Sequence, residues 1–425
     1  MTLVKPHFAL CAALLLSIGL ATHVRADAPA AGDKVPPKSW IDPGTGHRII
    51  RLTDEPGSAS LYFNDGCATP DGNEMVYTTT ADFSSHVIDL RTGRTRLVVP
   101  GPVRTICMGR KTPTVFYVKT QGEEQTLYST NVDTGETRKL AVLPGRGPLF
   151  TINSDETLAA GTYVLGNPPS FGGRAGMPFP GTPQVDPLEQ DPKKGPLMAE
   201  RFAARLPIVL YTIDLATGTS RTLITGNDWI NHLQFSPTDP QLLMYCHEGP
   251  WQLVDRIWSI RTDGSQNHLV HKRTLQMEIA GHEWWGPDGR TIWYQLHYPT
   301  GMGVNFLASE NVVTGERLMY SYGADAASIH HGISPDGTLF CGDGDTGNPW
   351  IVLCRPIAIA DRGTYGANLA RPGFLKTERL ANMSRHNYRL EPNPIFTADQ
   401  KLIVFRSNML GPTYVFGVEV AKASP

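Results

Sequence analysis

A proline-and-glycine turn recurs along almost the whole chain, and this repeat limits the fold more than any other feature. The turn reads Pro-Asp-Gly after a small residue and occurs at 69–72, 286–289 and 334–337. Looser copies occur at 153–156, 236–239 and 397–400. Proline and glycine at these positions favour tight turns between antiparallel strands. The copies recur at roughly 40 to 60 residues, which is the spacing of four-stranded β-propeller blades.

A second turn, ending in Thr-Gly, follows in most of these units. It occurs at 90–93, 132–135, 215–218 and 313–315. Because helical periodicity is nearly absent, we predict an all-β chain that folds as a seven-bladed β-propeller. The predicted blades lie near 61–101, 103–145, 147–226, 229–274, 278–323, 327–386 and 390–424. We expect the segment 39–57 to complete the last blade and close the ring, which hides the sheet edges.

The N-terminus has the pattern of a secretory signal peptide, which we predict at 1–26. Lys5 and His7 precede an apolar run from 8 to 21, and small or permissive residues precede a cleavage site after Ala26. The run is too short to span a membrane comfortably, and no later segment reaches about 18 uninterrupted apolar residues. We therefore expect a periplasmic or secreted protein without a membrane anchor.

The rest of the chain is predicted to form a single domain. A flexible N-terminal segment at 27–38 leads into one propeller domain at 39–425. This domain carries an insertion at about 167–206, which is rich in proline and glycine and then helix-like from 197 to 204. Loops of this length in compact domains are usually lids, binding loops or disordered segments.

Charge and cysteine usage argue against two classes of site. The formal net charge of −2 gives no basic field of the kind that nucleic-acid binding needs, so we expect no nucleic-acid partner. The cysteines beyond the signal peptide are odd in number and lack a C-x-x-C spacing, which implies neither a zinc site nor a disulfide framework. We expect them to be buried small hydrophobic residues, while a bridge between Cys341 and Cys354 stays open.

Several histidines lie at or near the expected first strand of a blade, or in the loop that leads into it. They are His232, His247, His282, His330, His331 and His386. First strands line the central channel of a propeller, so residues far apart in sequence converge on one axis. A single histidine is more often structural than catalytic, but six in equivalent regions favour a functional site at one end of the channel.

Longer motifs surround these histidines. They read C-H-E-G-P-W at 246–251, V-D-R-I-W at 254–258, G-H-E-W-W at 281–285, H-H-G-I-S-P-D-G at 330–337, C-G-D-G at 341–344 and F-R-S-N at 405–408. In this order, over most of the chain, they resemble the oligogalacturonate lyase family. Turns of the S-P-D-G type also occur in unrelated propellers such as TolB-like domains, whereas the combination of the first three motifs is more specific.

The resemblance implies a seven-bladed propeller that cleaves short α-1,4-linked galacturonates by β-elimination and leaves an unsaturated uronate. Removing the C5 proton beside the C6 carboxylate needs a base, a cation and a clamp for the carboxylate. By resemblance, His282 is the base and Arg256 is a catalytic and substrate-binding residue whose planar fork suits a carboxylate. Further substrate-binding candidates are His232, His247 and Glu248. A purely structural Arg256, paired with Asp255 or Glu248, stays open.

The resemblance also implies a divalent metal, held by His330 and by a last-blade element that contains a glutamine and an H-P-H-P sequence. Here that element reads Y-R-L-E-P-N-P at 388–394, so both histidines and the glutamine are replaced. We expect His330, Glu391, Asn393 and His386 to hold Mn²⁺ or Ca²⁺, because carboxylate and amide oxygens suit such ions. We expect Glu391 and Asn393 to project to the same side of an extended strand.

Two alternatives stay open from the sequence. Glu391 could pair with Arg389 or Arg406 and leave the site without a metal. The chain could also be a non-catalytic TolB-like propeller that binds a peptide or glycan at the channel mouth. The leading hypothesis is a lyase for oligogalacturonate or a related uronate oligosaccharide, because a plain scaffold does not need an imidazole, a guanidinium and carboxylates at one mouth.

Overall fold

The fold is described from a computed structural model, in residues 36–166, 194–299, 302–360 and 369–423. The predicted signal peptide, most of the flexible segment at 27–38 and the first part of the insertion, up to residue 193, lie outside the described residues. Within these ranges the regular structure is almost entirely β-strand, which confirms the all-β prediction. No helix in the described part of the chain is long and apolar enough to cross a membrane.

Two short strands open the described chain, and four sheets of four consecutive strands follow. The opening strands are β1 (Ser39–Ile41) and β2 (His47–Arg51). Sheet 1 contains β3 (Ser58–Ser60), β4 (Glu74–Thr79), β5 (Ser85–Asp89) and β6 (Thr95–Val99). Sheet 2 contains β7 (Arg104–Met108), β8 (Thr114–Gln121), β9 (Glu124–Asn131) and β10 (Thr137–Val142). Sheet 3 contains β11 (Leu149–Ile152), β12 (Leu158–Val164), β13 (Ile208–Asp214) and β14 (Ser220–Gly226). Sheet 4 contains β15 (Ile230–Phe235), β16 (Leu242–His247), β17 (Ile257–Arg261) and β18 (His268–Leu269).

The next eight strands form one larger sheet with two halves. The first half contains β19 (Ile279–Trp285), β20 (Thr291–His297), β21 (Asn305–Asn311) and β22 (Arg317–Tyr322). The second half contains β23 (His331–Ile333), β24 (Phe340–Gly342), β25 (Trp350–Ala358) and β26 (Arg371–Asn382). Strands β22 and β26 join the halves by parallel pairing, and every other described strand pair is antiparallel.

The last sheet joins the two ends of the described chain, as the sequence predicts. Its order is β1, β2, β29 (Tyr414–Lys422), β28 (Leu402–Ser407) and β27 (Ile395–Phe396). Strand β2 pairs with β29, so that Ile49 lies opposite Val418. This closing sheet also contacts β3 of sheet 1, which brings the first and last sheets together.

The Pro-Asp-Gly turns connect the first and second strands of their sheets. In the turn between β3 and β4, the Thr69 hydroxyl donates to the Asp71 carboxylate at 2.6 Å. The amide of Gly72 donates to the Thr69 carbonyl at 2.8 Å, and Gly72 has a φ of 70°. A left-handed residue closes this turn, which is why the sequence places glycine there.

The hydrophobic core lies between neighbouring sheets. Ile106 and Leu127 of sheet 2 pack with Leu149 and Tyr211 of sheet 3, and all four are buried. Burying a large apolar side chain stabilises the fold by about 1.5–3 kcal/mol. First strands of neighbouring sheets also contact each other, as β7 and β11 do, and β11 and β15. These neighbouring sheets therefore meet along their first strands.

The described end of the insertion is helical, and the described cysteines are buried. The helix expected from 197 to 204 is observed as α1 (Lys194–Ala204). All five described cysteines are buried and free, which confirms the buried assignment and excludes a bridge between Cys341 and Cys354 in this structure.

Candidate active site

Two of the predicted site histidines lie on β-bulges of first strands. The register of β15 against β16 shifts at His232, and the register of β19 against β20 shifts at His282. Both residues have positive φ, 47° for His232 and 50° for His282. Positive φ is uncommon for a residue other than glycine, and bulges beside active sites often redirect a side chain. The two bulges therefore set the directions of these imidazoles.

His282 lies in a group of rings. Its ring centroid is 4.6 Å from that of His330 and 4.9 Å from that of Trp251. Its Nδ1 is 2.9 Å from Oε1 of Gln295, which lies on the neighbouring strand β20. The structure thus brings the predicted base and the predicted metal ligand His330 together.

A loop at 61–66, called the inner loop below, completes this group. Strands β3 and β4 pair at Ser60, and the pairing resumes only at Ala68, so the residues between leave the ladder. The hydroxyl of Tyr62 lies 3.0 Å from Nε2 of His330. The Asn64 side chain donates to the main-chain carbonyl of residue 283 at 3.0 Å. The inner loop therefore reaches both the His330 side and the β19 side of the site.

His330 is held from both of its ring nitrogens. Its Nδ1 lies 3.1 Å from Oδ2 of Asp343, and both side chains are fully buried. A carboxylate at Nδ1 keeps the proton there, so Nε2 carries the lone pair that accepts from Tyr62. The nearest Glu391 carboxylate oxygen lies 3.8 Å from Nε2. His330 and Glu391 are thus the two predicted metal ligands that the structure brings together.

The predicted extended strand around Asn393 is wrong. Residues 391–394 form no strand, and Asn393 has a φ of 54°. Its side-chain nitrogen donates to the Glu391 carbonyl at 2.9 Å, and its side-chain oxygen accepts from the amide of Phe63 at 3.3 Å. The left-handed conformation breaks the alternation of a strand, and the Asn393 side chain ties this segment to the inner loop.

His386 has structural partners at both ring nitrogens. Nδ1 lies 2.9 Å from the Ser407 hydroxyl, and Nε2 lies 2.7 Å from the Leu390 carbonyl. Burial lowers the pKa of His386, which favours the neutral ring that these bonds need. In this arrangement the ring supports the 386–390 turn instead of facing His330.

Arg256 is buried between two carboxylates. Its Nε and Nη2 donate to the two oxygens of Glu283 at 2.9 and 3.3 Å, and its Nη1 donates to Glu248 at 2.6 Å. The side chain is 3% exposed, and its guanidinium lies 5.1 Å from the Trp251 ring. Three of the five N–H donors are therefore used, and one positive charge faces two negative ones. Pairing with Glu248 was an open alternative from the sequence, whereas the pairing with Glu283 was missed.

Glu248 joins Arg256 to His232. One carboxylate oxygen lies 3.1 Å from Nε2 of His232, while the other accepts from Arg256. Burial opposes ionisation of Glu248, but Arg256 and His232 outweigh it and hold the pKa of Glu248 well below its usual range. Donor atoms of His232, Cys246 and Glu248 lie within 4.8 Å of one another. Burial raises the pKa of the Cys246 thiol, and the two Glu248 oxygens already pair with Arg256 and His232.

His247 lies in a different environment from the other candidates. Its ring packs against Trp258, with centroids 5.0 Å apart, and against Tyr245 at 5.7 Å. Burial lowers the pKa of His247, and the charged groups that act on it are Asp228, Arg205 and Asp255. The structure does not bring it to His282 and His330.

The inner loop also carries a carboxyl group with an unusual pKa. Burial raises the pKa of Asp65 to about 7, against the attraction of Arg104, His232 and Arg406. Burial also raises the pKa of Tyr62, and the nearby carboxylate of Glu391 raises it further. Tyr62 therefore stays protonated and donates to His330.

A family model described as oligogalacturonate lyase matches residues 193–423. The chain belongs to the oligogalacturonate lyase family. An oligogalacturonate lyase of Dickeya dadantii is 27% identical over 410 residues, which cover 90% of this chain and 95% of the relative. An oligogalacturonide lyase of Pectobacterium atrosepticum is 26% identical over 419 residues, covering 92% and 98%. The solved structure of an oligogalacturonate lyase in complex with manganese has the same fold, with a TM-score of 0.71, 23% identity and coverage of 90% and 96%.

The part of the chain that matches the family model contains every predicted site residue but not the inner loop. Glu283 and Asp343 stand inside motifs that resemble the family, G-H-E-W-W and C-G-D-G, so a signal for them was present. Gln295 stands in an ordinary strand sequence, and Tyr62 and Asp65 follow a short strand without a distinctive pattern. These three depend on contacts that only the folded chain makes.

Proposed function

We propose that this chain is a lyase that cleaves short oligogalacturonates, or related uronate oligosaccharides, by β-elimination and leaves an unsaturated uronate. Family membership and the two relatives support this reaction class. They favour the enzyme over a binding propeller without activity. The substrate would enter at the group formed by His282, His330 and the inner loop.

The placement of His282 carries the proposal. It stands in an uncommon backbone conformation on a bulge, with its ring against Trp251 and close to His330. Residues held in such conformations cluster at active sites because the surrounding structure fixes their direction. An imidazole is a common general base, and β-elimination requires one that can reach the C5 proton. His282 takes that role here.

In this proposal Arg256 mainly orients the two carboxylates that surround it. Its hydrogen bonds orient Glu248 and Glu283, and only two N–H donors are left for a uronate carboxylate. Its positive charge is already balanced by those two carboxylates. Because negative charge develops on the uronate as the proton leaves, the site needs positive charge from another source.

A divalent ion, Mn²⁺ or Ca²⁺, at His330 and Glu391 would supply that charge. Asp343 orients His330 in the manner typical of histidine metal ligands, which receive a carboxylate at the other ring nitrogen. Once the Tyr62 hydroxyl gives up its hydrogen bond to Nε2, that lone pair and the Glu391 carboxylate would form a nitrogen-and-oxygen donor pair that suits manganese. When bound, the ion would stabilise negative charge on the substrate carboxylate. The related structure in complex with manganese supports this part of the proposal.

The fold and the location complete the proposal. Counting the two halves of the eight-stranded sheet as separate blades gives seven blades, and their parallel contact is then an edge between neighbours. The signal peptide predicted at 1–26 would direct the chain to the periplasm or outside the cell.

The test is incubation of purified protein with digalacturonate, trigalacturonate and a panel of other uronate oligosaccharides. An unsaturated uronate absorbs in the ultraviolet because its new double bond is conjugated with the carboxylate. We expect absorbance to rise with galacturonates, and His282→Ala to lower the rate by about 10²–10⁴-fold, as loss of a general base does.

The matched control is His268→Ala, because His268 is 46% exposed and pairs with Glu310 away from His282 and His330. We expect it to retain the wild-type rate. Near wild-type turnover by a folded His282→Ala protein would refute the assignment of the base.

A further inference from the structure

His282 stands at the end of a chain of buried hydrogen bonds whose directions can be assigned. Gln295 is 3% exposed and lies on β20, opposite the residue before His282. Its Oε1 lies 2.9 Å from His282 Nδ1, and its Nε2 lies 2.7 Å from His331 Nδ1. The same Nε2 lies 3.1 Å from the Ser328 carbonyl. His331 Nε2 lies 3.0 Å from the Ala326 carbonyl.

Two main-chain carbonyls fix the direction of every bond in this chain. A carbonyl only accepts, so His331 donates from Nε2 to Ala326, and its Nδ1 must then accept from Gln295. The Ser328 carbonyl independently requires the nitrogen of the same amide. The two hydrogens of that nitrogen therefore have two acceptors, and flipping the amide would set its oxygen against the Ser328 carbonyl and the His331 lone pair.

The remaining bond decides the state of His282. Because the side-chain nitrogen of Gln295 already donates both of its hydrogens, the side-chain oxygen faces His282. This oxygen can only accept a hydrogen bond, so His282 donates from Nδ1–H. In the neutral ring, Nε2 of His282 then carries the lone pair. His331 is fully buried, and its two ring nitrogens bond a donor from Gln295 and the Ala326 carbonyl, which are the partners of a neutral ring.

We infer that Gln295, held by Ser328 and His331, is a positioning residue that keeps His282 as the Nδ1–H tautomer with its proton-accepting atom at Nε2. The functional meaning rests on the proposed lyase function, because a base in the wrong tautomer presents a hydrogen where a lone pair is needed. The tautomer itself does not depend on any activity. The two claims can therefore fail separately.

The tautomer can be measured directly by ¹⁵N NMR on the full chain labelled at histidine. Protonated and bare ring nitrogens differ strongly in ¹⁵N shift, and the His282→Gln spectrum identifies the His282 signals by their loss. We expect wild-type His282 to have a proton on Nδ1 and none on Nε2. A wild-type His282 with its proton on Nε2, or with a mixture of tautomers, overturns the inference without any variant at Gln295.

Gln295→Leu tests the cause. We expect its His282 to show both tautomers, and kcat on galacturonates to fall by about 10–100-fold, the usual effect of losing an orienting partner, with little change in KM. The control is Gln125→Leu, which removes another buried glutamine that bonds one main-chain amide, that of Gly147, in a different sheet. It should leave the His282 tautomer and kcat unchanged.

The outcomes separate the two claims. A folded Gln295→Leu protein with His282 still purely Nδ1–H refutes the role of Gln295, whether or not the chain is a lyase. The expected tautomer change in a protein without lyase activity supports the hydrogen-bond chain and refutes the function that it was proposed to serve. A rise in KM alone would indicate substrate binding and would contradict positioning of the base.

Discussion

Replacing Arg256 by methionine should destabilise the protein far more than an ordinary loss of an ion pair. The three side chains of this cluster are 3% exposed for Arg256, 7% for Glu248 and 2% for Glu283. Removing one partner of a buried pair costs about 3–5 kcal/mol, because the remaining charge stays buried. Two carboxylates are left here, so we expect the upper part of that range. Methionine keeps apolar contact with Trp251, which limits the change mainly to charge.

The assay is urea unfolding followed by tryptophan fluorescence, read as the midpoint and the m-value. The matched control is Arg96→Met, whose side chain is 41% exposed and donates to both oxygens of Glu74. An exposed pair of this kind contributes about 0–1 kcal/mol. The difference between the two substitutions then isolates the effect of burial.

A rescue and a pH series test the same reasoning. Adding Glu248→Gln and Glu283→Gln to Arg256→Met should restore most of the stability, because no buried charge is left. In Arg256→Met alone, Glu248 loses the guanidinium that lowers its pKa while the burial that raises its pKa remains, so the folded state binds more protons than the unfolded chain. Its stability should therefore fall as pH rises from 4 to 8. A wild-type midpoint with only a raised KM would refute this account and favour a substrate clamp.

Two further predictions concern Asp65 and the metal. Burial raises the pKa of Asp65 in the folded state to about 7. The folded protein therefore loses stability as the pH rises from the ordinary pKa of aspartate towards 7. Asp65→Asn should therefore raise the free energy of unfolding at pH 8 by about 1–2 kcal/mol and change nothing at pH 4. The gain is less than the full pKa shift implies, because Asp65 is only partly buried and water reaches its side chain. Equal effects at both pH values would contradict this prediction. Calorimetric titration with Mn²⁺ or Ca²⁺ should show weaker binding after Glu391→Gln or His330→Ala, but not after Glu136→Gln on the surface; unchanged affinity would remove the metal from this position.

The sequence predicts the strand framework well because its signals are local. The Pro-Asp-Gly turn at 69–72 makes its defining hydrogen bonds within four residues, so a short pattern contains the whole cause. The return of 39–57 to the last sheet follows from the need to cover a sheet edge. The positions of His232 and His282 on first strands follow from the same repeat.

The partners of the site residues could not be predicted in this way. Arg256 and Glu283 are 27 residues apart, and Tyr62 and His330 are 268 apart, so no local pattern joins them. Asn393 was placed on a strand by alternation, but its side chain bonds the inner loop and its backbone is left-handed. Tertiary hydrogen bonds there outweigh the local preference for an extended chain.

The central claim is elimination, and the masses of the products test it most directly. Elimination splits trigalacturonate without adding water, so the two products together have the mass of the substrate, and one of them is unsaturated. Hydrolysis adds one water across the broken bond, so its two products are both saturated and together exceed the mass of the substrate by one water. We expect wild-type protein to give one unsaturated and one saturated product without added water, and His282→Ala to give almost none. Two saturated products whose summed mass includes one added water would contradict the account.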